Sequence, residues 1–300
     1  MADATTVRDR GAVTAPRSPF GFGWSWLGLV PFFLFSAAFM FLPVSFLVFG
    51  SLQDSAGSMT LQNYRDLSRP DIVNAFANSI EISAITAIVG GLFGFLLAYA
   101  VILGGLPSFF RTSLMTFSGV ASNFAGVPLA LAFIFTFGQL GIMTVLLRGI
   151  GLDPYQHGFS LYNKVGLEVV YLYFQFPLMV LIIAPAIDGL RRDWREAAEN
   201  LGASPREYWR RVALPILMPS ILGATILLFG NAFGAQATAF QLTGGTIPIV
   251  TNVIGAQIRG DVLHNPGLGY AMAMGMVVIM AISISIYTVL QRRSERWLRS

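Results

Sequence analysis

The chain has 300 residues, of which 55% are hydrophobic and 11% charged, with a mean hydropathy of +0.66. That charge fraction is under half the roughly 25% of ordinary soluble domains, which excludes a soluble fold that would need a charged surface around its core. The absence of cysteine excludes disulfides, thiolate metal sites and cysteine nucleophiles, and the net charge of +4 comes from eighteen arginines and one lysine, Lys164, against fifteen acids.

Residues 1–23 are small and polar, contain Pro and Gly, and carry Arg8, Arg10 and Arg17, the composition of a disordered tail. From Ser18 to Gln53 there is no charge, and the apolar part, Trp26 to Phe49, is long enough to cross a bilayer core. It is too long for the apolar region of a cleaved signal peptide and lacks a small-residue cleavage site. Trp24 and Trp26 are placed as interfacial anchors, and Pro43 predicts a kink. The same reasoning predicts spans near Ser79–Leu103, Ser113–Phe137, Leu167–Leu190, Ile216–Phe240 and Leu268–Leu290, six in all. Asp71 to Asn78 predicts a short helix leading into the second span. The loops at about 51–75, 138–166 and 241–267 are too short to fold alone as a receptor domain, and Gly151–Pro154 and His264–Gly267 are turn punctuation. One all-α transmembrane domain is therefore expected over 24–291, followed by a basic tail at 292–300.

Between the fourth and fifth spans lies a polar stretch, residues 191–215, that predicts two short helices and a tight turn. Asp193 followed by Glu196 is a capping-box pattern, which starts a helix at Trp194. Gly202 stands where a helix C-terminus favours positive φ. Ser204, Pro205 and Glu207 repeat the start signal, and Pro215 predicts an end near Leu214. Tyr208 and Val212 share one face beside Trp209, with Arg206, Arg210 and Arg211 around them. Such a basic amphipathic hairpin suits either a groove on another protein or a bed of lipid headgroups.

Arginine and lysine placement orients the spans. With the N-terminus inside, the inner segments hold fourteen of the nineteen cationic residues and the outer loops five, Arg65, Arg69, Arg148, Lys164 and Arg259. This asymmetry places both termini and the hairpin in the cytoplasm.

No catalytic constellation is found. The one lysine lies in an outer loop without a glycine-rich phosphate cradle, so the chain lacks the parts for P-loop ATP hydrolysis. His157 and His264 have no partners at metal-ligand spacing. The hairpin, tethered a few residues from a membrane span at each end, is badly placed to enter a major groove, which excludes nucleic acid as a partner.

Glu196-Ala197-Ala198, Gly202 after three residues, and Val212, Leu214 and Pro215 at the following positions resemble the EAA loop of binding-protein-dependent ABC-importer permeases of type I, with Val212 in place of the usual Ile. The resemblance implies a six-span permease domain in the plasma or inner membrane, with the hairpin as a coupling helix docked on a separate ATP-binding subunit. Docking then falls to Glu196, Ala197, Ala198, Gly202, Ala203, Arg206, Tyr208, Trp209, Val212, Leu214 and Pro215. It further implies a second permease subunit, two ATP-binding cassette subunits that carry ATP and Mg, and an extracytoplasmic substrate-binding protein. The chain itself would be no enzyme and would bind no cofactor. The C-terminal third, with Leu242–Gly245, Asn252, Ile254, Gln257, Pro266, Gly269 and Ala271, resembles the spermidine/putrescine branch, so a polyamine-type solute is expected. Sugars, opines, phosphonates and ferric ion are the alternatives, and the lack of an acid in the fifth span weighs against a polycation. An ion-coupled secondary transporter would instead need inverted repeats and buried titratable groups near the midplane.

Polar groups within the spans are Glu81, Asn123, Gln139, Glu168, Gln175, Asn231 and Gln236. Each is costly in hydrocarbon, so it faces either a path or another helix. Asn123, Asn231 and Gln236 lie deepest and are the candidates for a translocation path. Gly90/Gly94 and Gly230/Gly234 are small-xxx-small pairs suited to close helix contact, within the chain or with a second permease half.

Overall fold

The computed structural model describes residues 28–54, 56–259 and 264–299, with side chains to residue 292. The tail expected at 1–23 lies outside the described residues, as do the anchors Trp24 and Trp26. Among the described residues there is no strand, and six helical stretches are long and apolar enough to cross a membrane.

The helices are α1 (Val30–Ser51), α2 (Gln62–Asp66), α3 (Pro70–Leu103), α4 (Ser108–Ala121), α5 (Gly126–Phe137) and α6 (Ile142–Gly149), then α7 (Lys164–Asp188) and α8 (Arg192–Asn200). They continue with α9 (Pro205–Gly234), α10 (Ala237–Thr243), α11 (Val250–Arg259) and α12 (Pro266–Arg299). The boundary between the two compact units of the chain, Met1–Phe46 and Leu47–Ser300, falls within α1.

Several expectations are corrected. The segment at 71–78 is part of a 34-residue helix, α3, opened by Pro70 at its first position. The third span, expected over 113–137, is broken between α4 and α5, and the apolar stretch of spanning length there is Gly126–Gly149, running from α5 into α6. Gly126 there adopts φ +74°, a conformation no regular helix contains, and Pro128 disfavours α geometry for the residue before it. The fifth span stops at Gly234 and the chain restarts as α10. At the C-terminus the helix runs on to Arg299, through the expected basic tail.

Two prolines expected to kink or stop helices are accommodated by the same device. A five-residue π segment, Ala37–Phe41, precedes Leu42-Pro43, and another, Trp209–Ala213, precedes Leu214-Pro215. In each, the leucine N–H bonds five residues back, to Ala37 and Trp209 respectively. The widened turn eases the clash of the proline ring with the carbonyl four residues earlier. The helix therefore continues through Pro215 instead of ending near Leu214.

In the larger unit, α3, α7 and α9 form a mutually packed frame, with α12 on α9, α4 on α7, and α11 on α12 and α3. The apolar effect does not drive helices together in lipid, so close backbone approach matters more. At the α3–α7 seam, a Cβ on Gly90 would lie 2.7 Å from Gln175 Cβ. One on Gly94 would lie 2.6 Å from Met179 Cβ and 2.8 Å from the Phe176 carbonyl. This pair is used within the chain. Gln175, fully buried, crosses from α7 to donate to the Leu228 carbonyl of α9 at 2.9 Å. Three buried clusters fill the frame: one around Val180, Ile183, Leu217 and Leu228, one around Leu129, Tyr171, Phe174 and Leu242, and one around Ile72, Phe233 and Met272.

Gly94→Leu is expected to destabilise the full chain by about 1–3 kcal/mol through overpacking of this seam. Gly119→Ala, whose added methyl meets nothing within 4 Å, should leave stability unchanged. Thermal unfolding in detergent compares the two, and equal midpoints would refute the seam.

Candidate functional site: the hairpin and a polar cavity

The hairpin begins where α7 ends. Asp188, the last residue of α7, is held by Arg111 of α4 at 2.6 Å, which ties the two preceding crossings together at this level. α8 starts at Arg192, two residues earlier than the sequence predicts, and its N-cap is Arg191 with no side-chain cap. Asp193 thus sits inside the first turn and cannot cap. It pairs with Arg191 at 2.6 Å instead, in a position where the helix dipole favours an acid. Arg191 also lies over the Trp194 ring, 6.0 Å from its centroid. Arg195 and Glu199 form an i,i+4 pair at 2.9 Å.

The turn follows the sequence signals closely. Gly202 adopts φ +81°, its N–H bonds Glu199 O at 2.9 Å, and Ala203 N–H bonds Ala198 O at 3.0 Å. This is the Schellman pattern, which satisfies two of the last carbonyls of α8. Ser204 then caps α9 in a full capping box: Glu207 N–H donates to Ser204 Oγ at 3.3 Å, and Ser204 N–H donates to Glu207 Oε2 at 3.0 Å. Two stop-and-start signals back to back leave the turn little freedom.

The ridge expected to face outward is turned inward. Tyr208 is 8% exposed, Val212 is half-buried, and Trp209 packs edge-on against Tyr99 of α3 with centroids 4.7 Å apart. These residues seat the hairpin on its own spans. Leu214 and Pro215 are half-buried in the continuing helix, as are Ala198 and Ala203. Of the docking candidates, Glu196, Ala197, Gly202 and Arg206 are exposed, and at the tip Leu201 is 89% exposed. Leu201 was not singled out from the sequence. Its position directly before the turn glycine was the available signal, since the residue there has no helix face to hide on.

The translocation candidates divide. Asn231 and Gln236 line one cavity of about 540 Å³ together with Ser122, Gly126, Phe174, Gly230, Gly234 and Thr238. Asn123 is exposed beside it and bonds back to its own helix, donating to Gly119 O at 2.9 Å. Asn231 lies 3.5 Å from Gln175 Oε1, and Gln236 Nε2 donates to Thr251 O at 3.0 Å, tying the break after α9 to α11. Among the described residues, no charged side chain lines this cavity. Gly234 of the second small-residue pair opens into it with nothing within 4 Å of a Cβ, whereas Gly230 meets Met280 of α12. Glu81 reaches Lys164 at 2.7 Å at the other end of the bundle from the hairpin. A larger cavity of about 700 Å³, lined by Phe117, Phe133, Tyr173 and Phe176 among others, is almost wholly apolar and does not suit a polar solute.

Residues 82–296 match the family described as binding-protein-dependent transport system inner membrane component. The chain is 28% identical over 267 residues to the spermidine/putrescine transport system permease protein PotB of Haemophilus influenzae, covering 88% of this chain and 90% of that protein. It is also 28% identical over 240 residues to the trehalose transport system permease protein SugB of Mycobacterium tuberculosis, with 79% of each covered. A probable sulfate transport system permease protein, cysT of Helicosporidium, is 25% identical, with 84% of this chain and 89% of that protein covered. Among solved structures, a bacterial ABC transporter involved in import of the acidic polysaccharide alginate superposes with a TM-score of 0.70 at 16% identity, over 89% of this chain and 94% of that one. A family match across most of the chain and a six-span fold of the same kind together show that this multi-pass membrane protein belongs to the binding-protein-dependent inner membrane component family, as a permease subunit of an ABC importer.

Proposed function

We propose that the 191–215 hairpin is the coupling element of this importer subunit, seated in a groove of a separate ATP-binding subunit that carries ATP and Mg. The observation that supports it most is the tip, where Leu201 is 89% exposed and backed by a Schellman turn and a capping box. A large apolar side chain held out on a stiff support is a ready anchor for a partner pocket. Lipid headgroups, the other reading of a basic hairpin, fit less well, because two of its three aromatic residues, Tyr208 and Trp209, are turned toward the chain itself, Trp209 against Tyr99 of α3.

In this reading both termini and the hairpin are cytoplasmic. The pair of Arg111 with Asp188 supports a common side for the 104–107 and 189–191 segments, in keeping with the arginine asymmetry. A second permease subunit completes the path, two ATP-binding subunits drive it, and an extracytoplasmic binding protein delivers the solute. A solved relative of the fold is in complex with an alginate pentasaccharide-bound periplasmic protein, and another is the MetNI methionine ABC transporter in inward-facing conformations. The second helix of the hairpin and the cavity residues Asn231 and Gly234 belong to one continuous helix, α9, so displacement of one end is carried to the other.

The solute is a small polar molecule, and the likeness to PotB supports a polyamine. A sugar is the second reading, favoured by a cavity lined with neutral Ser122, Asn231, Gln236 and Thr238, and by the likeness to SugB. ATPase stimulation of the reconstituted transporter, with spermidine, putrescine and trehalose each on a matching binding protein, decides between them.

Leu201→Glu and Glu196→Lys are expected to abolish uptake while the subunit still inserts and pairs. Normal uptake by both would end the coupling assignment. Ser204→Ala removes the cap of α9 and should cost about 1 kcal/mol locally. Amide exchange at Glu207 and Tyr208 would then rise about fivefold, with the spans unaffected.

A further inference from the structure

Hydrocarbon supplies no hydrogen bonds, so a helix break at membrane depth persists only where protein or cavity water meets the freed backbone groups. Two breaks border the same cavity here: residues 122–125 between α4 and α5, and residues 235–236 between α9 and α10. Thr238, 2% exposed, joins one to the other. Its Oγ1 accepts from Gly126 N–H at 2.8 Å and donates to the Gly126 carbonyl at 3.3 Å. Gly126 stands at φ +74°, outside helical geometry, at the first position of α5, where an N–H has no partner within the helix. On the frame side, Tyr171 of α7 donates to the Ala235 carbonyl at 2.5 Å.

The two helices beyond these breaks form a pair. α5 and α10 pack chiefly on each other, through residues such as Leu129, Ala130, Ala239 and Leu242, and touch α7 only sparsely. Each is bounded by irregular chain at both ends. α5 gives way to residues 138–141, and α10 to Gly244 and Gly245, both at positive φ. By contrast α3, α7 and α9 are long and mutually packed. The pair lies beyond the end of α9 that is remote from the hairpin, and its Gly126, Ala237 and Thr238 form one wall of the cavity.

We propose that α5 and α10 move as one body against the α3–α7–α9 frame, gating the cavity on the side away from the hairpin, and that Thr238 is the positioning residue that makes them one body. The inference rests on the reading that this cavity belongs to the solute path. Without the threonine hydroxyl, the two helices are joined only by apolar contact, and motion of the α9 end no longer carries α5 with it.

The chain has no cysteine, and Gly234 lines the cavity with open space at its Cβ, so Gly234→Cys is a single reporter with room for its side chain. In the assembled transporter in lipid vesicles, its labelling by a charged, membrane-impermeant methanethiosulfonate is read from the mass of this chain. The labelling rate should change by about tenfold or more between the nucleotide-free and vanadate-trapped states. Thr238→Val in that background should reduce the change to less than about twofold while ATPase turnover persists, and Thr238→Ser, which keeps the hydroxyl, should restore it. A valine variant that responds like its parent, a serine variant that does not respond, or a parent without response overturns the inference. If the valine variant does not assemble, Thr238→Ala, which admits cavity water to Gly126 N–H, is read by the same criteria. Glu196→Lys in the reporter background tests the underlying reading separately. It should abolish the nucleotide response, and a parent-like response there would strike at the hairpin rather than at Thr238.

Discussion

A polypeptide in hydrocarbon must find its backbone hydrogen bonds within itself, and that constraint decides where this chain can be irregular. Of the prolines within its spanning helices, Pro43 and Pro215 are preceded by π segments that re-pair the leucine N–H before them. Among the described residues, two of the breaks border the polar cavity, and there Thr238 and Tyr171 meet backbone groups at Gly126 and Ala235. The same requirement explains Gln175. A fully buried amide in a spanning helix is tolerable because it donates to a backbone carbonyl of α9, and in doing so it ties two frame helices together.

Continuity through Pro215 has a mechanical consequence. Had the second hairpin helix ended near Leu214, a hinge would separate the hairpin from the fifth span. Instead α9 runs unbroken for 30 residues, about 45 Å at helical rise. Its hairpin end is fixed by the capping box and by Trp209 against Tyr99, and its other end by the bond of Tyr171 at the break that follows. The π segment Trp209–Ala213 lies within the hairpin, so the 21 residues from Leu214 to Gly234 that lead to the cavity are regular α-helix.

How much of this was legible in the sequence follows from the range of each signal. Ser204-Pro205-Glu207 and Gly202 act within four residues, so the turn could be read from the letters alone and adopts the expected geometry. Span count follows from length and apolarity, which are equally local. Asp193 misled because an identical pattern, Asp-x-x-Glu, serves either as a cap or as an acid in the first turn, and the choice depended on Arg191 beginning the helix earlier. The break at 122–125 was hidden because uncharged residues run through it. Only Gly126 and Pro128 hinted at it, and the threonine that sustains it is 112 residues away. Thr238 looked like any other small residue in an apolar segment. Likewise, Tyr208 and Val212 were read as sharing one face with Trp209 beside them, but periodicity says which residues lie together, not which way they face.

That inward ridge changes the character of the proposed docking surface. Three of the hairpin's arginines are engaged within it, Arg191 with Asp193, Arg195 with Glu199 and, more loosely at 3.7 Å, Arg211 with Glu207. All three pairs are largely exposed, so they add little stability, but they cancel charge. What is left without an ion pair among the described residues is Arg192, Arg206 and Arg210 against Glu196, a small positive excess beside the apolar tip. A partner that held this surface by charge alone would meet only that small positive excess, in solvent that screens it. One that offers an apolar pocket for Leu201, with a polar rim for Glu196 and Arg206, gains most from the anchor and takes register from the rim. The basic composition of the hairpin, taken alone, points to charge as the basis of recognition; its geometry points to shape.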